Sequence, residues 1–359
     1  MNTQHLFRAR RQRLLAAIGS DATLWFAHPD TLRYLAGFHV DPFSLGHGFG
    51  GVLALKTDGS TTLWYDDRLP DSVGAACVDQ AIIVPWYDGI TPARGLRSQA
   101  LLNHLPNEWP GCFHDFPGRS DSLFNCVEIL ANLRRCKDEH EIAVLEKCCR
   151  AGEAGHAWAR AHLEPGMTEL QLYAGINRAC TLAAGQAVIV YGDFAVSPGP
   201  SRKGGPATDR VIRPGDLVIV DFSVVIGGYR SDFTTTLCAG VPTSAQKHLH
   251  ATALEGMRRG EGKLFPGVSA HDVHAAVFSA FADAGMPEAF PHHAGHGIGL
   301  SHPEAPFFVP GSTEILVEGD VVTLEPGAYV AGVGGLRIEH NYLITANGPR
   351  VLSGHDLGL

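Results

Sequence analysis

Short apolar runs separated by turn residues occupy the first third of the chain. Residues 50–68 carry two such runs on either side of Asp58-Gly59, a pattern that predicts a β-hairpin. The apolar run 81–84 is closed by Pro85 and predicts a buried strand, because proline cannot donate to a sheet ladder. Together with an amphipathic opening helix, these runs indicate a small α/β domain.

Helical spacing of apolar residues replaces this pattern beyond residue 128. Residues 132–163 predict one long helix, whose apolar face includes Leu133, Ile142, Leu145 and Trp158. At 359 residues the chain also exceeds the size at which a single core stops growing. We therefore expect two domains, residues 1–128 and residues 129–359.

A repeat runs through the second domain. Residues 163–185 and 264–285 both read as Pro-Gly, a hydroxyl residue (Thr168 or Ser269), an amphipathic helix and a closing Ala-Gly. The hydroxyl residues are typical helix N-caps, and the glycines are typical of helix C-termini. Helix-start and helix-end residues of this kind are common and do not by themselves show a repeat. The strands that follow supply the stronger evidence.

The strands downstream repeat in the same order. Residues 215–221 match 319–325, and residues 228–232 match 335–339. Each block ends on an acid, which predicts two related α+β halves around an approximate two-fold axis. Four carboxylates then converge, those of Asp221, Asp232, Glu325 and Glu339.

Turn positions support this convergence. A two-residue turn at Gly227-Gly228 would pair residue 221 with 234 and place Asp221 and Asp232 on one face of the sheet. In the second half, a turn centred on Gly332 would place Glu325 directly opposite Glu339.

Converging carboxylates in apolar strands need a positive partner, because a buried unpaired charge is costly. Arg230 and Arg337 could pair with single acids. Four acids together with a histidine-rich segment, residues 292–306, instead favour divalent ions. Glycines flank His296 in that segment and allow close backbone approach. Carboxylate oxygens with one imidazole suit Mn²⁺, Co²⁺ or Zn²⁺.

Composition and charge limit the classes of binding partner and the location that we expect. Apolar residues make up 45% and charged residues 18% of the chain, as in ordinary globular proteins. The formal net charge of −9 argues against nucleic-acid or anionic-membrane partners. No apolar run approaches a membrane span, and the N-terminus lacks a signal-peptide pattern. The eight cysteines form no CxxC pair, so we expect reduced thiols and a cytoplasmic location.

Four segments carry a specific resemblance: VIVDFSVVIGGYRSDFTTT, GHGIGL, VVTLEPGAYV and GGLRIEHN. In this combination the chain resembles the pita-bread metallopeptidases, which include prolidase (Xaa-Pro dipeptidase), aminopeptidase P and methionine aminopeptidase, with creatinase as a non-peptidase relative. The first third looks like the creatinase-type domain that precedes the catalytic domain in prolidase and aminopeptidase P. The resemblance implies an α+β pita-bread catalytic domain behind a smaller α/β domain, and a homodimer.

The resemblance also implies roles for individual residues. Two divalent ions per chain would be bridged by Asp232 and Glu339. Asp221 would complete one shell, and His296 with Glu325 the other. A water shared by the ions would attack the bond before proline in a small peptide substrate. The catalytic residues expected beside the metals are His302, Glu325 and Arg337, the last of which would orient a ligand carboxylate or the acid cluster.

Two departures from the family pattern leave the reaction open. Peptidases of this family have an accessory histidine in a Pro-His pair before the first metal-bearing strand, but residues 199–216 contain none. A second accessory histidine normally stands at position 303, which is proline here, with His302 one residue early. His302 could compensate or be a simple loop residue, and Lys203 or Arg202 could supply a replacement cation. The alternative function is a creatinase-like enzyme acting on a non-peptide C–N or C–S bond of a small molecule.

Overall fold

The structure is a computed structural model that describes residues 3–19, 21–39, 50–68, 70–92, 97–103, 115, 126–197 and 199–359. Two compact units divide the chain, Met1–Arg134 and Arg135–Leu359. The division lies near the end of a helix, Cys126–Arg135, in which the expected boundary at residue 128 also falls.

A mixed sheet of order β1-β2-β3-β4 forms the centre of the first unit. Its strands are β1 Leu24–Phe26, β2 Gly51–Leu55, β3 Thr61–Asp66 and β4 Gln80–Val84. The helices of this unit are α1 Thr3–Ile18, α2 Pro29–Ala36, α3 Pro70–Gly74, α4 Arg97–Leu102 and α5 Cys126–Arg135. The expected hairpin is confirmed, because Leu55 pairs with Thr61 across the Asp58-Gly59 turn.

Strand β4 departs from its prediction in one respect. It ends before Pro85 as expected, but only Val84 of its residues is buried. The prediction of a buried strand was therefore wrong. The strand pairs only with β3 within the described residues, in parallel, so its other edge is left without a partner strand there.

The expected long helix is two helices. Helix α5 ends at Arg135, and α6 spans Glu139–His162. The break follows from a capping box: the Asp138 carboxylate accepts hydrogen bonds from the backbone of His140 and Glu141, and the Glu141 side chain accepts one from the Asp138 backbone. Such a box starts a new helix by satisfying backbone donors that have no partner within the helix. The single-helix prediction was wrong because this local hydrogen bonding starts a new helix at Glu139.

Helices of the second unit confirm the sequence repeat. They are α6 Glu139–His162, α7 Glu169–Ala184, α8 Ser244–Glu261 and α9 Ala270–Asp283, with a 3₁₀ turn at Pro287–Ala289. Thr168 caps α7 and Ser269 caps α9. Each cap also forms an isolated bridge to a later segment, to Val211 and Ile315 respectively. None of the helices in the described part of the chain is long and apolar enough to cross a bilayer.

Two sheets complete the second unit. In the first half, β6 Leu217–Ile226 pairs with β5 Ile189–Val196, β7 Tyr229–Arg230 and β8 Phe233–Cys238. In the second half the order is β10-β9-β11-β14-β15, with strands His296–Gly297 (β9), Glu304–Phe307 (β10), Val321–Leu324 (β11), His340–Thr345 (β14) and Gly348–Val351 (β15). Strands β12 Gly327–Val330 and β13 Gly334–Arg337 form a separate pair.

Hydrogen bonds between β8 and the β13–β14 segment join the two halves. The Thr236 hydroxyl accepts a hydrogen bond from the Arg337 backbone and donates one to the Arg337 carbonyl. The Glu339 backbone donates to the carbonyl of Thr234 at 3.0 Å. These bonds bring the acid-bearing end of each hairpin to the same place.

Candidate metal centre

The first hairpin has the predicted register. Ile226 pairs with Tyr229 around the Gly227-Gly228 turn, and Asp221 pairs with Thr234. Asp232 directly precedes β8, and the Ser223 hydroxyl donates to its carboxylate at 3.4 Å. The prediction that Asp221 and Asp232 share one face is confirmed by this arrangement.

The second hairpin also has the predicted register. Leu324 pairs with His340 in β11–β14, and Gly327 pairs with Arg337 in β12–β13. Both pairings centre on Gly332, so the two acids in the gap, Glu325 and Glu339, lie opposite each other. In this gap their backbone amides leave the hairpin ladder and donate to the carbonyls of Ala294 and Thr234. The backbones of both acids are therefore held by segments outside their own hairpin, at Ala294 and Thr234.

His296 lies close to the acids because the backbone at Gly295, the residue before it, packs directly against the backbone of Thr323. A Cβ on Gly295 would lie 2.2 Å from the carbonyl oxygen of Thr323, so only glycine fits there. The His296 Nδ1 lies 3.0 Å from the Gly297 carbonyl. Its Nε2 is thereby left facing the carboxylates, 3.7 Å from Asp232 and 3.5 Å from Glu325.

The five predicted ligands form one buried cluster. Three overlapping groups each have potential ligand atoms within 4.8 Å of one another: Asp221, Asp232 and Glu339; Asp232, His296 and His302; His293, His296 and Glu325. His302 Nε2 lies 2.5 Å from Asp232 Oδ2, and His293 Nε2 lies 3.0 Å from Glu325 Oε1. Sequence reasoning treated His293 only as part of a histidine-rich segment, and its contact with Glu325 depends on the loop conformation.

A cavity of about 430 Å³ opens over this cluster. The predicted ligands line it, as do Pro303 and several polar or aromatic residues of the second unit, including Tyr191, Asp193, Lys203, Ser223, Arg230 and His302. The cavity thus connects the acids to a space that a small substrate can enter.

Burial and mutual repulsion distort the acidity of the cluster. Burial, assisted by Asp232, raises the pKa of Asp221 to about 6, although Arg337 works in the opposite direction. Burial and the charges of Asp232, Glu325 and Asp221 raise the pKa of Glu339 well above its usual range. For Glu325, burial also acts to raise the pKa, but the hydrogen bond and charge of His293 outweigh it, and the pKa is lowered.

Glu339 provides a direct test of whether divalent ions fit. Its Oε2 accepts a 2.6 Å hydrogen bond from Thr234, but its buried Oε1 has no hydrogen-bond partner among the described residues. An unsatisfied buried carboxylate oxygen is costly. A divalent cation held by carboxylates and imidazole would satisfy it, and this donor set suits Mn²⁺, Co²⁺ and Zn²⁺.

Comparison with known proteins agrees with this chemistry. The model of metallopeptidase family M24 matches residues 143–346. The chain belongs to metallopeptidase family M24. It is 36% identical to the probable dipeptidase PepE of Mycobacterium tuberculosis over 276 residues, which cover 74% of this chain and 72% of PepE. It is 30% identical to the Xaa-Pro dipeptidase of Pyrococcus horikoshii over 226 residues, 63% of this chain and 64% of that protein.

The solved structures confirm the expected architecture. The crystal structure of dipeptidase PepE from Mycobacterium ulcerans superposes with a TM-score of 0.78 at 29% identity, covering 99% of this chain and 98% of PepE. The pita-bread fold and the metallopeptidase class are therefore confirmed. Membership of family M24 also implies divalent metal ions, for which this cluster is the candidate site.

Arg337 neutralises one side of this M24 site. Its Nε donates to Asp221 Oδ2 at 2.9 Å, and its Nη2 contacts the same carboxylate and donates to Asp193 Oδ2 at 3.0 Å. Its Nη1 donates to the Tyr329 hydroxyl at 2.8 Å. Sequence reasoning missed Asp193, which pairs with Asp221 across β5 and β6. In the sequence, Asp193 is only an isolated acid within a strand. The pairing of β5 with β6 shows that it lies beside Asp221.

In residues 199–216, which lack the accessory histidine of the family, Gly204 and Gly205 lie against the Asp193 carboxylate. A Cβ on Gly204 would lie 1.8 Å from Asp193 Oδ2. The Asp193 carboxylate is held by the Gly205 backbone at 2.8 Å and by Arg337. Asp193 thus takes the space that a side chain at position 204 would need.

The two proposed replacement cations lie in different surroundings. Arg202 forms paired hydrogen bonds of 2.9 and 3.0 Å with the buried carboxylate of Glu169, and it is not among the residues that line the cavity. Lys203 lines the cavity and lies 5.9 Å above the Tyr329 ring. Arg202 is therefore fixed as a structural residue, and only Lys203 faces the site.

We expect Gly204→Ala to disturb this M24 site through Asp193. The added methyl must push out a carboxylate that two partners hold, and such overpacking costs about 1–3 kcal/mol of unfolding free energy. Urea unfolding would measure the loss, and Gly311→Ala, where an added Cβ meets nothing within 4 Å, is the matched control.

Asp193→Ala in the Gly204→Ala background should relieve the clash. The two unfolding penalties should then be less than additive. Strict additivity would show that Gly204 and Asp193 do not compete for the same space.

Proposed function

We propose that the chain is an Xaa-Pro dipeptidase-type peptidase that uses two divalent ions to cleave the bond before proline in short peptides. One observation carries this proposal: the five ligand-type side chains fall into overlapping groups of neighbouring ligand atoms, and a buried Glu339 oxygen in one of these groups lacks a hydrogen-bond partner in the described part of the chain. The names of the M24 relatives supply the substrate class, since they include a dipeptidase and an Xaa-Pro dipeptidase.

The cluster geometry supports a division of labour among the ligands. Asp232 belongs both to the group with Asp221 and to the group with His296, so it is the natural bridge between two ions. Glu339 lies opposite Glu325 and also groups with Asp221 and Asp232, so it is the second bridge. We assign Asp221 to one ion, and His296 with Glu325 to the other.

Divalent ions bound here would supply an activated water and positive charge at the carbonyl oxygen of the scissile bond. The chain itself would do the positioning. Arg337 holds Asp221 in place through two nitrogens. His302 stands at the cavity side of Asp232, with its side chain 32% exposed, where it can contact substrate and move a proton.

The cavity suits a small substrate. Its volume of about 430 Å³ lies in the lower part of the range of about 300–1,000 Å³ that is typical of small-molecule sites. A dipeptide fits this size better than a folded protein or a long peptide.

A second candidate function rests on the altered histidine positions. Gly204 cannot carry a side chain beside Asp193, and position 303 is proline. A site without these groups is also compatible with cleavage of a non-peptide C–N or C–S bond in a small molecule.

The expected homodimer and cytoplasmic location stay predictions that rest on the resemblance and on composition.

A substrate panel tests the function directly. We expect the metal-loaded protein to hydrolyse Xaa-Pro dipeptides faster than Xaa-Pro-Xaa tripeptides and creatine-like compounds, as measured by release of free proline or of the corresponding product. Turnover of a creatine-like compound without turnover of any proline peptide would contradict the proposal and favour the second candidate.

Removing a bridging ligand should release metal. We expect Asp232→Ala and Glu339→Ala each to lose both ions and all measurable activity, because each side chain is proposed to contact both ions. Elemental analysis of the purified variants measures the metal. Asp272→Ala, which removes an exposed acid from helix α9, should keep full occupancy. Full metal occupancy in Asp232→Ala would rule out the bridging assignment.

His302→Ala should separate catalysis from metal binding. If His302 positions substrate and moves a proton, its loss should lower kcat by about a hundredfold to ten-thousandfold while metal content stays at the parental level. His248→Ala, at an exposed position on helix α8, is the control. Parental turnover in His302→Ala would show that His302 is only a loop residue.

A further inference from the structure

Arg230 lies beside the metal ligands without being one of them. It forms the short strand β7, pairs with Val225, and donates its backbone N–H to the Gly299 carbonyl at 3.1 Å. Its side chain lines the cavity together with those of His302 and Pro303. Arg230 is therefore fixed by its backbone beside Gly299, and its side chain lies at the wall of the cavity near His302.

The side chain of Arg230 has no partner that explains its position. Its buried Nε makes no hydrogen bond within the part of the chain that the structure describes. No carboxylate among those same residues lies within ion-pair distance of its guanidinium, although such pairs bind Arg337 and Arg202. An arginine held in a cavity without an anion is costly to desolvate, and a ligand anion would remove that cost.

The other cations of the cavity are less suited to this role. The guanidinium of Arg337 is occupied by Asp221, Asp193 and Tyr329. Lys203 is exposed, so water solvates its ammonium group. Arg230 combines partial burial with a planar fork, which matches the two oxygens of a carboxylate.

Spacing along the hairpin indicates what kind of anion fits. Arg230 in β7 precedes Asp232 by two residues, and β7 and β8 pair with β6 in one continuous register, so the two positions share one face about 7 Å apart. The C-terminal carboxylate of a dipeptide lies one residue, about 3.5 Å, beyond the scissile bond. With that bond near Asp232, the long Arg230 side chain has only the remaining ~3.5 Å to cover to reach the carboxylate.

We propose that Arg230 binds the free C-terminal carboxylate of the substrate and thereby restricts the enzyme to dipeptides. This inference rests on the proposed function, because it takes an Xaa-Pro dipeptide as the substrate. A longer peptide or a C-terminal amide offers no carboxylate at that distance and leaves the guanidinium without its anion.

The test compares an acid with its amide. For the metal-loaded 359-residue chain, kcat/KM is measured with Ala-Pro and with Ala-prolinamide. Binding is measured by calorimetry with the reduced-bond analogues of both compounds, which cannot be cleaved. The variants are Arg230→Gln, which removes the charge, and Arg230→Lys, which keeps it. Arg213→Gln, which removes an exposed arginine that does not line the cavity, is the control.

We expect the parental protein to prefer the acid in both measurements. Loss of a charge-assisted carboxylate contact should raise KM and Kd for the acid about 10- to 100-fold in Arg230→Gln, with a much smaller change for the amide and unchanged metal content. Arg230→Lys should retain part of the preference, and Arg213→Gln all of it.

The outcomes separate this inference from the proposed function. Acid-selective binding that depends on Arg230, without hydrolysis of either compound, supports the anchor and contradicts the proposed function. Equal binding of acid and amide, or of neither, by the parental protein contradicts the anchor. A preference that survives in Arg230→Gln but disappears in Lys203→Gln would also contradict it and assign the role to Lys203.

Discussion

Mutual repulsion among four converging carboxylates is the constraint on which the rest of the second unit depends. Three of them, Asp232, Glu325 and Glu339, are at most 8% exposed, so water cannot screen them fully. Arg337 neutralises only the Asp221 side, and the pKa of Glu339 is raised well above its usual range by burial and by the other acids. Divalent cations bound at the proposed site would remove this conflict.

The two halves meet at the point where the repeated hairpins lose their regular pairing. Glu325 and Glu339 interrupt their own hairpin, and their amides donate instead to Ala294 and Thr234. The Asn341 side chain then holds the Asp232 backbone from the opposite half, by accepting from its amide at 3.1 Å and donating to its carbonyl. The proposed metal ligands of both halves are thereby held by contacts to their backbones from other segments.

The sequence predicted the elements whose register depends on glycine turns. Gly227-Gly228 and Gly332 determine which acids share a face, and both hairpins follow that prediction. Other features depend on contacts between residues distant in sequence. Asp193 acquires its role from the β5–β6 register, and Gly204 from the carboxylate that fills its side-chain space. The break between α5 and α6 was readable in principle, since Asp138 and Glu141 have the spacing of a capping box.

Anomalous diffraction from crystals grown with Mn²⁺ would show whether two divalent ions occupy this acid cluster. We expect two anomalous peaks per chain, both within coordination distance of Asp232 and Glu339, with Asp221 at one ion and His296 with Glu325 at the other. A single peak, or peaks away from Asp232 and Glu339, would contradict it.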